Sequence, residues 1–185
     1  MSRKFGPIFH LGYVVPDLDK AMLYWLDVMG VGPFFVEMHD LPTGFVFRGK
    51  PIHIRSKVAL TFSGENYIEL IEDFSPDETP NSIFLRDFPE GKTHTAGGLQ
   101  HLGCMVDNVD TAIGQVGAPE HVLMTAVVGP IRLAYIQPSR GAQAGTMLEL
   151  IERGPFIERK IATIKAASIG WDGSNPVRTL KFAAS

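Results

Sequence analysis

The sequence predicts an α+β fold: two βαβββ modules paired into a curved mixed sheet that forms a cup, followed by a C-terminal helical tail. Three observations predict it. The phrase His10-Leu11-Gly12-Tyr13-Val14-Val15-Pro16-Asp17-Leu18-Asp19-Lys20-Ala21 returns as His101-Leu102-Gly103-Cys104-Met105-Val106-Asp107-Asn108-Val109-Asp110-Thr111-Ala112, with His, Leu, Gly, Val, Asp and Ala at the same offsets. Each copy closes on one word, Glu69-Leu70-Ile71-Glu72 and then Glu149-Leu150-Ile151-Glu152. Between phrase and word lies one stretch of helical period followed by stretches of strand period. Neither module can close a core alone, and pairing them buries the inner sheet faces.

In the first module, Phe9 to Val15 reads as a strand ended by Pro16, which cannot donate to a ladder. Asp17 or Asp19 caps a helix whose apolar face is Ala21, Met22, Trp25, Leu26 and Met29. Gly30 and Gly32-Pro33 stop it. Phe34 to Met38 and Phe45 to Arg48 read as two short strands around a turn, Asp40 to Gly44. Ser56 to Phe62 and Tyr67 to Ile71 follow as strands.

The module boundaries fall at 7–72 and 99–153, within one structural domain. Residues 73–98 form a linker or lid, with a short helix at Asn81 to Phe88 that docks Ile83, Phe84 and Phe88 on the body. In the second module, Leu99 to Val106 is a strand, and Asn108 or Asp110 opens a helix that ends near Gly117. His121 to Val128, Ile131 to Gln137 and Thr146 to Ile151 are strands, with a turn over Pro138 to Gly145. The tail, 154–185, carries the helical stripe Phe156, Ile157, Ile161, Ile164 and Ala167, broken at Trp171-Asp172-Gly173. This helix is expected to pack on the domain or on a second subunit rather than to carry chemistry.

The chain of 185 residues is 45% hydrophobic and 20% charged, enough apolar material for a sizeable core. Its net charge of −3 with no basic tract argues against nucleic acid as a partner. No stretch has the length of a membrane span, and Met1 to Phe9 does not read as a signal peptide. The one cysteine, Cys104, leaves no intramolecular disulfide framework and fits a reducing, cytoplasmic compartment. It alternates out of phase with His101, so it faces the helix layer as a small hydrophobe.

Strand parity gives the candidate site. Ile68 and Leu70 belong under the helix, which sends Glu69 into the cup, and the same argument places Glu149 there. His10, Gly12 and Val14 share a face, as do His101, Gly103 and Met105. Two histidines and two glutamates therefore converge from four strands. A divalent cation is one of the few partners that offsets two buried carboxylates. Imidazole with carboxylate suits Zn, Ni, Co, Mn or Fe. Glu72 and Glu152 repeat as faithfully, but read as solvated strand-end charges. His39, His53, His94 and His121 lack repeat partners and read as loop or surface residues, with His53 or His94 within reach of the cup's mouth. Tyr67, Tyr135 and Gln137 lie in cup strands where a substrate could be bound. The tract Gly141 to Gly145 reads as a hairpin loop.

The twofold βαβββ plan, opened by His-Leu-Gly and closed by Glu-Leu-Ile-Glu, resembles the vicinal oxygen chelate superfamily over roughly residues 7 to 153. That superfamily includes glyoxalase I, methylmalonyl-CoA epimerase, extradiol dioxygenases and bleomycin-resistance proteins. The resemblance implies a metal on His10, Glu69, His101 and Glu149, a set similar to that of glyoxalase I. It implies that Glu149, or failing that Glu69, takes and returns a proton. The implied function is a metal-dependent isomerase, epimerase or lyase acting through a chelated enediolate of a small oxygenated substrate. An Fe(II) extradiol-type dioxygenase is the first alternative, opposed by the fourth ligand. A non-catalytic protein binding a drug or aromatic ligand between Phe34, Phe35, Phe45 and Phe47 is the second. Relatives of this kind commonly form homodimers, which the apolar tail helix and open sheet edges would suit.

Overall fold

Each module begins with the same local event: a strand delivers its chain to a capped helix. In the computed structural model, which describes residues 3–87, 97–137 and 147–180, strand β1 (Ile8–Val14) leads to helix α1 (Leu18–Asp27). Asp17 caps α1, its Oδ1 accepting from the Lys20 amide at 3.0 Å. Strands β2 (Phe34–Phe47), β3 (Lys50–Ser63) and β4 (Asn66–Asp73) complete the module, and helix α2 (Pro80–Asp87) follows. Strand β5 (Gly98–Val106) then leads to helix α3 (Val109–Val116), capped by Asn108, whose Oδ1 accepts from the Thr111 amide at 2.8 Å. Gly117 ends α3 with φ +73°, a conformation that favours glycine. A 3-10 turn at Pro119–His121 precedes strands β6 (Val122–Val128), β7 (Ile131–Ile136) and β8 (Met147–Glu152). Helix α4 (Pro155–Ser168) and strand β9 (Val177–Thr179) end the described chain.

The strands form one mixed sheet in the order β3-β4-β1-β5-β8-β7-β6-β2, and β2 pairs again with β3. The sheet therefore closes on itself as a barrel-like cup, with β9 added beside the first half of β2. The modules meet where β1 runs antiparallel to β5. They meet a second time where Phe45 to Phe47 of β2 pair with Met124 to Ala126 of β6.

Apolar layers hold the cup from outside. Leu18, Ala21, Met22 and Trp25 of α1 bury against Phe34, Ala59, Ile68 and Leu70. Val109 and Ala112 of α3 bury against Cys104, Ala134 and Leu150. Each fully buried Leu or Val stabilises the fold by roughly 1.5–3 kcal/mol. Cys104 thus faces the helix layer, as parity predicts.

Four expectations need correction. Residues 34–47 form one strand, not two around a turn. The register shifts between Leu41 and Phe45, so the ladder to β3 continues past Pro42 and Gly44 as an irregularity. Strand β3 begins at Lys50 rather than Ser56 because β2 supplies a partner along that whole length. Strand β9 lies after the Trp171 break, where helical periodicity gave no signal. Phe34 packs under α1 rather than lining the cup. The turn over Pro138 to Gly145, His94 and the docking of Phe88 lie outside the described residues.

The second glutamates of the closing words are tied to helix starts. Glu72 Oε2 accepts from the Leu18 amide at 3.3 Å, and Glu152 Oε2 from the Val109 amide at 3.0 Å. Each satisfies a first-turn donor that a helix leaves unpaired, at the positive end of the helix dipole. Glu152→Ala is therefore expected to cost about 1 kcal/mol in chemical denaturation, the usual cost of a lost cap. Metal uptake by that variant is expected to be unchanged.

Candidate metal centre

His-x-Gly at the head of each repeat has a spatial reason. In the β1–β5 ladder, Gly12 faces His101 and His10 faces Gly103. On the outer sides, Gly12 faces Glu69 of β4, and Gly103 faces Glu149 of β8. Two rows therefore cross the sheet, Glu69–Gly12–His101 and His10–Gly103–Glu149, each with a glycine between a carboxylate and an imidazole. The glycines leave the volume that the rings occupy. A Cβ on Gly12 would fall within the His101 ring, and one on Gly103 would lie 2.6 Å from His10 Cβ.

The four side chains meet on the inner face. One ligand atom from each of His10, Glu69, His101 and Glu149 lies within 4.8 Å of the others. Glu69 Oε2 is 3.2 Å from His10 Nε2 and 3.6 Å from His101 Nε2. Glu149 Oε2 is 3.0 Å from His10 Nδ1 and 3.5 Å from His101 Nε2. Yet His10 Nδ1 and Nε2, His101 Nε2 and Glu149 Oε2 are buried without a hydrogen-bond partner among the described residues. Buried polar atoms are ordinarily paired. Three of the converging residues carry these unpaired atoms, and with Glu69 they make two imidazoles and two carboxylates, a donor set that suits a borderline divalent metal. The cluster could hold such an ion, from one chain alone.

The electrostatics agree. Burial opposes a charge on His10, but the carboxylates of Glu149 and Glu69 outweigh it and push the pKa up to about 10. Burial likewise opposes a charge on Glu69, but His10 and His101 outweigh it and hold the carboxyl far below its usual range. Tyr67 and Tyr135 stand beside the two histidines, with ring centroids 5.1 Å from His10 and His101 respectively. Burial, then the neighbouring carboxylates, pushes both phenols well above their ordinary pKa, and Tyr135 faces Glu149 across the β7–β8 ladder.

Beside this centre lies a cavity of about 260 Å³, lined by His10, Glu69, Glu149 and both tyrosines, with an apolar wall that includes Phe45, Met124 and Leu133. The cavity has a second polar group that sequence reasoning missed. Lys160 Nζ donates to Glu37 Oε2 at 2.6 Å, His39 Nε2 lies 3.3 Å from the same oxygen, and Ser56 Oγ lies 3.4 Å from His39 Nδ1. Burial would raise the pKa of Glu37, but His39 and Lys160 overcome it and lower it. His39 is thus in a strand and lines the cup, correcting its reading as a loop or surface residue. The tail helix packs on the domain through Ile161, Ile164 and Ala167, and Ile157 and Lys160 of α4 also line this cavity. A signal was present in Glu37-Met38-His39: the polar pair alternates with Met38, which is 65% exposed, so this strand is polar inside and apolar outside. His53 pairs instead with Asp40 at 2.5 Å. Neither His53 nor Gln137 lines the cavity.

A closed cup holding a cluster of this kind defines a class of small-molecule site, and the comparisons place the chain more narrowly. The profile of the Glyoxalase/Bleomycin resistance protein/Dioxygenase superfamily matches residues 9–126. The chain belongs to that superfamily. Mitochondrial methylmalonyl-CoA epimerase of Mus musculus is 29% identical over 110 residues, 60% of this chain and 51% of the mouse protein. The match thus spans about half the length of this curated relative. Methylmalonyl-CoA epimerase from Mycobacterium tuberculosis superposes with a TM-score of 0.55 at 20% identity, covering 86% of this chain and 95% of that one. A hypothetical protein from Bacillus halodurans C-125 gives 0.54 at 21% identity, with coverage of 80% and 94%. A Streptomyces coelicolor methylmalonyl-CoA epimerase in complex with 2-nitronate-propionyl-CoA gives 0.51 at 14% identity, with coverage of 81% and 99%. At these identities the likeness is one of fold. Among the described residues no helix is long and apolar enough to cross a membrane.

Proposed function

We propose that the protein is a metal-dependent epimerase or isomerase that moves a proton at a carbon beside a carbonyl, on a substrate of the methylmalonyl-CoA kind. The observation that carries this reading is the convergence of His10, Glu69, His101 and Glu149, three of them with buried unpartnered atoms, beside an apolar cavity. A divalent ion held by His10, Glu69, His101 and Glu149 would supply Lewis-acid polarisation of two neighbouring substrate oxygens, which makes the adjoining C–H more acidic. Glu149 takes that proton on its carboxylate and returns it. Tyr135, opposite Glu149 on the neighbouring strand, stands beside that carboxylate. Glu69, kept ionised by both histidines, stays as the permanent carboxylate of the set. Phe45, Met124 and Leu133 exclude water from the exposed carbanion face. Lys160 and Glu37 offer a donor and an acceptor for the rest of the substrate.

The test begins with protein purified without a metal-binding tag. Wild type is expected to carry about one divalent ion per chain, and His101→Ala to carry none. Loaded wild type incubated with methylmalonyl-CoA in D₂O is expected to place deuterium on the carbon between the two carbonyls, read by mass spectrometry, and to stop when chelator is added. Wild type that takes up no metal sinks the reading. A metal-loaded protein that binds the thioester without exchange points to a non-catalytic binder.

Metal uptake is also expected to depend on pH in a stated direction. His10 is protonated below about pH 10 and must be neutral to ligate, so binding expels its proton. Apparent affinity is therefore expected to rise about tenfold per pH unit through the neutral range and to level off as pH approaches the raised pKa. Calorimetry in two buffers of different ionisation enthalpy counts the released proton.

A further inference from the structure

The two histidines are held from behind in different ways. His10 turns both ring nitrogens toward carboxylates, Nε2 to Glu69 and Nδ1 to Glu149. The residue before it, Phe9, stacks on Tyr67 and offers no polar group. His101 turns only Nε2 to the cluster. Its Nδ1 lies 3.0 Å from Gln100 Oε1, and Gln100 Nε2 donates to Asn81 Oδ1 at 2.7 Å. Gln100 and His101 are fully buried. Asn81 lies in α2, in the segment between the modules that the repeat does not contain.

We infer that Asn81 and Gln100 are positioning residues that fix the tautomer of His101, so that the inter-module helix α2 controls how well the cluster binds metal. The inference rests on the metal reading of the four-residue cluster. An imidazole ligates through a nitrogen without a proton, and a hydrogen bond at the other nitrogen decides which one that is. As the chain stands, Asn81 accepts from the Gln100 amide, which turns Gln100 Oε1 toward Nδ1. That oxygen can only accept, so Nδ1 keeps its proton, and the neutral ring presents its lone pair at Nε2. Reversing both amides would keep both contacts and put the proton on Nε2, facing the site. Asn81 can hold the chain either way, whereas an aspartate there can only accept and would permit one direction.

The test uses the full chain with Zn²⁺ as probe, measured by chelator competition, together with ¹⁵N shifts of the neutral His101 ring before metal is added. Gln100→Leu is expected to weaken Zn²⁺ binding about 10–100-fold, the usual cost of losing such a partner. Its His101 is expected to show a mixture of tautomers. Gln100→Glu, which still accepts from Nδ1–H, is expected to restore binding. Asn81→Asp changes a partly exposed residue on a helix and so leaves the buried layer intact. It is expected to keep wild-type affinity with the Nδ1–H form alone, while Asn81→Ala gives a mixture. A folded Gln100→Leu that binds Zn²⁺ within about twofold of wild type, or Asn81 variants that all share the wild-type ring shifts, would overturn the inference. Wild type that takes up no Zn²⁺ overturns the metal reading and the inference together, a result distinct from loss in the variants alone.

Discussion

Glu149→Gln is expected to keep its metal and lose its proton transfer. The amide has nearly the volume of the carboxylate and retains an oxygen that can ligate, but it does not accept a proton near neutral pH. General-base catalysis contributes about 10²–10⁴-fold, and the rate of deuterium exchange into methylmalonyl-CoA is expected to fall by that factor. Metal content, measured alongside, separates loss of the base from loss of the centre. Both glutamates face both histidines, and what distinguishes Glu149 is Tyr135, its partner across the β7–β8 ladder. Exchange by Glu149→Gln at close to the wild-type rate would move the base elsewhere, with Glu69 the next candidate.

The second large effect is expected from a residue with no side chain. Gly12→Ala puts a methyl group where the His101 ring lies, and that ring is fully buried. Overpacking of a well-filled interior costs about 1–3 kcal/mol. The larger loss is in metal affinity, because the ring displaced is a ligand. More than about 100-fold is expected, beyond the range that a change behind a ligand produces. Gly103→Ala meets His10 Cβ and Nδ1 at 2.6 and 2.8 Å, so it is expected to act in the same direction on the other histidine. Gly114→Ala is the control. It lies exposed in α3 with nothing within 4 Å of a new Cβ, and is expected to stabilise by roughly 0.5–1 kcal/mol through helix propensity. Thermal unfolding and Zn²⁺ competition on the three variants check this. A metal-replete Gly12→Ala would mean that the two rows of the sheet are not what builds the centre.

Much of this was legible because repetition and strand parity are both sequence properties. The repeated phrase marked His10 and His101, and alternation along the closing words turned Glu69 and Glu149 inward. What the repeated glycine is for was not legible, since it depends on which strand lies beside which, and β1–β5 pairing is a long-range choice. The roles of Glu72 and Glu152 escaped for the same reason: their partners are amides of a helix distant in sequence. The Glu37–Lys160 pair joins two residues from opposite ends of the chain. Its strand is polar toward the cavity, so reading polar residues as outward-facing sends them the wrong way. The long β2 was read as two strands because Pro42 and Gly44 are turn residues in most settings. Here the pairing with β3 resumes at Phe45 after a register shift, and pairing with β6 begins at the same residue.

The division of the ligand set between the halves has a thermodynamic consequence. Each repeat supplies one imidazole and one carboxylate, and they come together only across the β1–β5 seam. Neither half alone has more than a two-coordinate foothold for an ion. Any ion bound there is therefore linked to the joining of the halves, and its binding free energy counts toward the cooperativity of unfolding. At a free concentration a hundred times Kd, that linkage adds about 2.7 kcal/mol. The ion would act as a rivet through the seam, making two ancestral-looking halves unfold as one.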